Sequence, residues 1–317
     1  MLARSPPVDA SAAPATGTSP LMVWQYLLRG WIQQAATQKL HEAAAEAVRE
    51  HSSGASTAGA ADLPEGETLA CDIGFVYALG IEMGGLEDKL EMKRVIKAGG
   101  YKIRHGKFQN RTVAMIESGP GREAAAKATS VLIAGHRPNW IVSTGFAGGL
   151  VEGFARRDFL LASEIVDRAG GKLLVDFQVS SQSLAATPHV RVGRLITVDE
   201  IVRTKPEKLA MGVSAGAMAV DMETYAVAEV CRKERVRFMS VRIISDGVDD
   251  ELPKEVERLL GMKSTAGRIG AALGAIVNRP GSVKDLWKLK EDAIRASDRL
   301  AKFLEGIVAQ LPADKPS

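Results

Sequence analysis

Residues Ala217-Met218-Ala219-Val220-Asp221-Met222-Glu223-Thr224-Tyr225-Ala226-Val227-Ala228 decide how this chain is read. The small apolar run Ala217 to Val220 has the pattern of a buried strand, and Tyr225 to Cys231 has helical spacing, so Glu223 stands at a strand-to-helix junction. A carboxylate there lies near a helix N-terminus, which favours its charge. Further on, Arg237-Phe238-Met239-Ser240-Val241-Arg242-Ile243-Ile244-Ser245 reads as a second strand with Asp246 at its C-terminal end. Ligand crevices of open α/β sheets lie at such ends. Taken singly, a Glu in a first helical turn is most often a cap, and an Asp after a strand most often opens a turn. Their conjunction points to a site.

Upstream, Leu69 to Val76 reads as a strand, followed by Tyr77-Ala78-Leu79-Gly80-Ile81-Glu82-Met83 and a helix predicted through Glu87, Leu90 and Val95. Glu82 thus occupies a second strand-to-helix junction, where its ordinary explanation is an N-terminal helix charge. Tyr101 to Phe108 and Arg111 to Glu117 form a hairpin joined at Gln109-Asn110. Ser118-Gly119-Pro120-Gly121-Arg122-Glu123-Ala124 then opens a helix ending near Gly135. Gly119, Gly121 and Ala124 satisfy a dinucleotide-binding fingerprint in the right context, after a strand and before a helix. The strand that follows, Trp140 to Gly145, ends without the Asp or Glu that such a site needs for a ribose, and a Rossmann dehydrogenase is rejected. Thr144-Gly145-Phe146-Ala147-Gly148-Gly149 leaves that strand with glycines that let backbone amides approach a ligand, or that merely make a tight connection. Phe159 to Val166 and Val190 to Val198 are further strands. Strands alternating with helices imply an α/β sandwich of three layers with a mixed, partly closed central sheet.

At 317 residues and 46% hydrophobic content the chain can bury a sizeable core, built from aliphatic residues because aromatics make up only 5%. The net charge of +3 and the lack of basic blocks interleaved with aromatics exclude a nucleic-acid surface, so small-molecule chemistry is expected. Cys71 and Cys231 sit in apolar runs as small hydrophobes, and the five histidines show no metal-ligand spacing. No metal and no cofactor are expected. Residues 1–20, rich in Pro, Ala, Ser and Thr, read as a disordered tail. Leu21 to about Glu50 reads as one amphipathic helix through Trp24, Trp31, Ile32, Leu40 and Val48, and Ser52 to Gly66 as a linker. The face of that helix docks on the main domain, on a second copy or, less in keeping with its mixed polar side, on a membrane surface. The expected division is therefore 1–66, then a catalytic domain at 67–310. Beyond Asp246, helical runs over Lys254 to Val277, a break at Asn278-Arg279-Pro280-Gly281 and a charged amphipathic helix over about Val283 to Ile307 complete the chain.

Val220-Asp221-Met222-Glu223 and Arg242-Ile243-Ile244-Ser245-Asp246, together with Ser143 to Leu150 upstream, resemble the purine nucleoside phosphorylase superfamily. Within it the likeness is to the methylthioadenosine/S-adenosylhomocysteine nucleosidases, and it runs in order over about residues 69–250. The resemblance implies hydrolysis of the N-glycosidic bond of an adenosine-type nucleoside in a cytoplasmic, homo-oligomeric (dimeric) enzyme. It also implies roles. Asp246, steadied by Ser245, protonates the purine N7; Glu82, at the position of the family's water-activating glutamate, takes a proton from water; Glu223 accepts the ribose hydroxyls while Met222 packs on the sugar. Gly145, Phe146, Ala147 and Gly148 lie beside ribose, base and nucleophile, and Ile201 falls where the family stacks a phenylalanine on the purine. Opposed roles require Asp246 to be held protonated by burial while Glu223 stays charged. The phosphorylases of the superfamily hold phosphate with arginines where this chain has Tyr77 to Met83 and Ser143, with Arg122 alone nearby, so hydrolysis is expected over phosphorolysis. The C-terminal tail is similar to that of the hopanoid-associated nucleosidases, which makes an adenosyl-lipid or futalosine-type substrate the alternative. A nucleoside-binding module is the non-enzymatic one.

Overall fold

Ile73–Tyr77 (β1) is buried at every position and hydrogen-bonds in parallel on both sides, to Arg111–Glu117 (β4) and to Trp140–Gly149 (β5). Neighbouring residues of these strands face opposite layers, as a period of two dictates: Val76 and Ile141 enter one apolar cluster, Phe75 and Val142 another. A parallel sheet covered on both faces needs such unbroken apolar runs. The computed structural model describes residues 69–176, 187, 189–252 and 280–312. The tail, helix and linker expected over residues 1–66, and the helical runs expected between Lys254 and Val277, lie outside the described residues.

The sheet closes partly on itself. β5 pairs in parallel with Arg237–Asp246 (β10), and β10 runs antiparallel to Phe159–Asp167 (β6). From β6 the pairing passes in parallel to Val190–Thr197 (β8) and Ala219–Asp221 (β9), and β9 returns antiparallel to β5. On its other side the sheet extends from β4 through Tyr101–Phe108 (β3) to the edge strand Glu91–Ala98 (β2), all antiparallel, while Lys172–Leu174 (β7) adds to β6. The mixed, partly closed sheet expected from the order of elements is the one found.

Helices cover both faces. Arg122–His136 (α2) and Thr224–Glu234 (α4) place Ala128, Leu132, Val227 and Cys231 on one face. On the other, Gly80–Glu87 (α1) and Pro280–Gln310 (α5) bring Met83, Leu86, Leu300 and Leu304 together. Each such fully buried aliphatic side chain contributes roughly 1.5–3 kcal/mol. Lys205–Ala215 (α3) covers a third, smaller cluster around Leu150 and Val198. Cys71 and Cys231 are buried free thiols, as read, and burial pushes the Cys71 thiol up to about 12.

Two boundaries differ from expectation. The helix after Glu82 stops at Glu87, and the residues predicted to continue it, through Val95, form β2 instead. The cause is the Gly99-Gly100 pair, both at positive φ (58° and 84°), which makes a tight two-residue turn and pairs β2 with β3. Gln109 and Asn110 turn the next hairpin in the same way, with φ of 50° and 60°. The expected helix from about Val283 begins earlier, at Pro280, so the last two residues of the expected break belong to α5, while Asn278 and Arg279 lie outside the described residues. Proline's missing N–H and fixed φ suit a first helical turn.

Candidate active site

The register of the central strands sets one level for the site. Ser143 of β5 stands opposite Val76 of β1 and opposite Ser240 of β10, and the parallel pairing directs the C-terminal ends of all three strands to the same side of the sheet. Glu82 follows β1, Gly145 to Gly148 end β5, and Asp246 ends β10. β9 runs against β5 with Val220 opposite Gly148, which carries Glu223 to the same place. A cavity of about 450 Å³ opens there, lined by Glu82, Phe146, Ala147, Gly148, Ile201, Met222, Glu223, Ser245 and Asp246 among others, a size that suits a small ligand. Nine of the ten residues singled out in the sequence thus line one cavity; Gly145 does not and stands behind Glu82.

Glu82 is buried and is indeed a cap. Its Oε2 accepts the backbone N–H groups of Ala78 (2.9 Å) and Leu79 (2.8 Å), the otherwise unpaired donors at the start of α1. Its Oε1 accepts the N–H of Phe146 at 2.9 Å, which ties the end of β1 to the end of β5 and leaves that oxygen one acceptor position. The capping and site readings therefore describe the same side chain. Gly145 is fixed by this arrangement: a Cβ there would lie 2.6 Å from Glu82 Oε1 and 2.8 Å from Arg242 Nη1, on a backbone with φ of 142°.

Glu223 is the N-cap residue of α4, and its Oε1 accepts the N–H of Gly121 at 2.8 Å. The glycine turn that imitates a dinucleotide fingerprint thus delivers a backbone amide to a carboxylate of the site. Asp246 is held at both oxygens, by Ser245 Oγ on Oδ1 at 2.6 Å and by Lys208 Nζ on Oδ2 at 2.6 Å. Ser245 Oγ also lies 3.3 Å from the carbonyl of Ala147, so the end of β5 steadies it. Gly148 approaches closely, since a Cβ there would stand 3.2 Å from Asp246 Oδ2.

Sequence reasoning assigned nothing to four residues that hold this site. Arg242, opposite Gly145 in the register, is buried and donates to Asp221 Oδ2 (2.7 Å), Ser143 Oγ (2.8 Å) and Thr224 Oγ1 (2.6 Å). Asp221 also accepts Thr197 Oγ1 at 2.7 Å and the N–H of Thr224 at 3.0 Å. Lys208 is the fourth. Arg242 and Asp221 were legible as unusual, being charges inside apolar strand runs; Lys208 and Thr224 carried no such signal.

The charge pattern departs from the expected one. Burial raises the pKa of all three carboxyl groups, because a low dielectric disfavours the charged form. For Glu223, burial and then the neighbouring Asp221 push the value up from 4.5 to about 8, against the pull of Arg242 and the Gly121 amide. In the unliganded protein its surroundings thus favour the protonated form of Glu223, where a charged one was expected. Asp246 and Glu82 are raised by burial and drawn back, Asp246 by Lys208 and Ser245, Glu82 by Arg242 and its three backbone donors.

Comparison with known proteins fits this geometry. The sequence profile of the phosphorylase superfamily matches residues 72–309. The chain is 27% identical over 210 residues to the 5′-methylthioadenosine/S-adenosylhomocysteine nucleosidase of Staphylococcus haemolyticus, covering 60% of this chain and 92% of that protein. To the nucleosidase of the same name from Haemophilus ducreyi it is 30% identical over 198 residues, covering 56% of this chain and 85% of that protein. Its fold is similar to that of the Helicobacter pylori 5′-methylthioadenosine/S-adenosylhomocysteine nucleosidase crystallised with butyl-thio-DADMe-Immucillin-A. There the TM-score is 0.58 at 20% identity, over 77% of this chain and 100% of that one.

Proposed function

The chain belongs to the phosphorylase superfamily, and on that premise we propose that it is a nucleosidase that hydrolyses the N-glycosidic bond of a 5′-substituted adenosine and releases adenine. Methylthioadenosine and S-adenosylhomocysteine are the leading substrates, as the names of its relatives indicate. The observation that carries this reading is the convergence of three buried carboxyl groups, Glu82, Glu223 and Asp246, from three separate elements on one cavity.

Breaking the bond between ribose C1′ and purine N9 builds positive charge on the sugar and negative charge on the base. Asp246 gives a proton to N7 as the bond electrons move into the purine, so the base leaves neutral. Water adds to C1′ and loses its proton to Glu82. Glu223, with Oε1 on the Gly121 amide, has Oε2 for the ribose hydroxyls, and Met222 packs on the sugar. Division of labour between carboxyl groups follows the logic of glycoside hydrolysis. Ile201 and Phe146 flank the base.

Incubating the protein with methylthioadenosine, S-adenosylhomocysteine, deoxyadenosine, futalosine and adenosyl-lipids, and separating free base by chromatography, tests the reading and ranks the 5′ substituents. Binding without base release from every one of them would make the chain a nucleoside-binding module. Among the described residues no helix is long and apolar enough to cross a membrane. A cytoplasmic location, a dimeric state and docking through residues 21–50 are parts of the same proposal. The docking rests on the amphipathic pattern of that segment, and the location and dimeric state on the likeness to the nucleosidases.

A further inference from the structure

α3 turns only two residues fully inward, Lys208 and Gly212, one helical turn apart. An amphipathic helix ordinarily places apolar side chains on such a face. Here the one large inward side chain is a lysine with no exposed surface, and a Cβ at Gly212 would meet the carbonyl of Leu150 at 2.7 Å, so this end of the helix is pressed against the core. A cation in the first turn also opposes the helix macrodipole. Neither burial nor helix stability explains it.

The three hydrogens of the Lys208 ammonium are all committed: to Asp246 Oδ2 at 2.6 Å, to the carbonyl of Gly247 at 2.8 Å and to the carbonyl of Asp250 at 2.7 Å. None remains for a substrate, so whatever Lys208 does in the reaction passes through Asp246. The charged groups around the pair are accounted for. The Asp250 carboxylate accepts the N–H of Gly247 (2.8 Å) and Arg156 Nε (2.7 Å), Arg156 also pairs with Asp292, and Lys205 on the outer side of α3 pairs with Asp249. Lys208 is thus the one cation in hydrogen-bond contact with Asp246 among the described residues.

We propose that Lys208 is the positioning residue of the proton donor: it holds Asp246 by Oδ2 and keeps a positive charge against the carboxylate that forms as the proton passes to the base. This rests on the nucleosidase reading above. Burial alone would make Asp246 a reluctant acid, because its conjugate base would stand in a low dielectric; the ammonium stabilises that base and restores acid strength. The acid form does the chemistry, so activity falls at high pH with the ionisation of Asp246. Removing the cation makes ionisation harder and moves this alkaline limb upward.

The test is the pH dependence of adenine release from methylthioadenosine by the full chain and by Lys208→Met, with Asp246→Asn made in both backgrounds. The expected result is an alkaline limb about 1–3 pH units higher in Lys208→Met, a lower plateau kcat and little change in KM. Lys208→Arg, which keeps the charge, should return the limb toward the parent's. Lys208→Met should add little to the loss already caused by Asp246→Asn. Where the Met variant does not fold, Lys208→Gln repeats the test with an amide that can still donate to the two carbonyls. An unmoved limb, or an equal loss with and without Asp246→Asn, assigns Lys208 a merely structural role and overturns the inference while the nucleosidase reading stands. Near-normal turnover by Asp246→Asn alone would overturn the reading itself.

Discussion

Arg242 Nη2 lies 2.7 Å from Asp221 Oδ2, and both side chains are 1% exposed. The pair sits beneath the site, with the Arg242 guanidinium near Glu82 and Glu223 as well. Replacing Arg242 by Met leaves Asp221 buried without its partner, and removing one member of a buried pair costs about 3–5 kcal/mol. The expected outcome is a large fall in the urea midpoint with an unchanged slope. A variant as stable as the parent would mean that the pair does not hold the site.

A second prediction concerns pH and stability. An unfolded Glu223 ionises near 4.5, while the folded protein keeps the proton to about 8. Between those values the folded state binds more protons than the unfolded one, so stability must fall as pH rises through this window and level off above it. Burial raises Glu82 and Asp246 too, which adds to the slope with the same sign. Glu223→Gln keeps the neutral shape and removes one titrating group. Its stability should depend less steeply on pH from 5 to 8, as thermal unfolding across that range would register. A variant with the parent's slope would contradict the shift.

The Arg242–Asp221 pair and Glu223 also mark what the sequence disclosed. Glu82, Glu223 and Asp246 were legible because each stands where an apolar strand run gives way to a turn or helix, and β-strand order placed those ends together. Lys208 was not, because Lys205-Pro206-Glu207-Lys208 looks like the solvated first turn of any helix. Only tertiary packing turns Lys208 inward. β2 was misread because Leu90 and Val95 extend the helical spacing after Glu82 while the deciding signal, Gly99-Gly100, comes at the far end of the strand. Local pattern gave way to hairpin geometry. The upward shift of Glu223 comes from its burial and then from Asp221 two residues away, a relation no spacing rule contains.

Hydrolysis over phosphorolysis is the third prediction. Arg122, the arginine expected near the site, donates to the carbonyl of Thr197 at 2.7 Å and stands 3.0 Å from Asp199 and 3.4 Å from Asp167. Arg242 is committed to Asp221. Of the arginines that line the cavity, Arg156 is paired with Asp250 and Asp292, which leaves Arg157 alone where a phosphate needs several charge-assisted donors to leave water. Adenine release should be independent of phosphate and yield the free sugar. Strict phosphate dependence with formation of a ribose 1-phosphate derivative would overturn the assignment.

A protein beginning at Glu67 should retain base release, because every residue placed in the site lies after Leu69. Loss of turnover in a soluble, folded protein of that length would bring residues 1–66 into the site. Loss of self-association or of vesicle binding with activity intact would assign the face carrying Trp24 and Trp31 its task; sedimentation of the two proteins side by side distinguishes these results.

The last prediction separates Asp246 as an acid from Asp246 as a turn residue. Asp246→Asn keeps the shape, and its amide can be arranged with the carbonyl oxygen on Lys208 and the NH₂ toward Ser245 Oγ, which can accept. Contacts survive but no proton can be delivered. General acid catalysis contributes typically ~10²–10⁴-fold in rate, roughly 3–5 kcal/mol of barrier. kcat should fall by that factor while substrate binding changes far less, since the amide still donates to the base. A nucleoside whose base departs without protonation bypasses the lost step, and its hydrolysis should be slowed much less. If Asp246 merely shaped the turn after β10, Asn would serve about as well, and turnover of both substrates would stay near normal. A folded Asp246→Asn protein with more than about a tenth of the parent's turnover falls short of the weakest effect expected of a general acid, and would remove Asp246 from the mechanism.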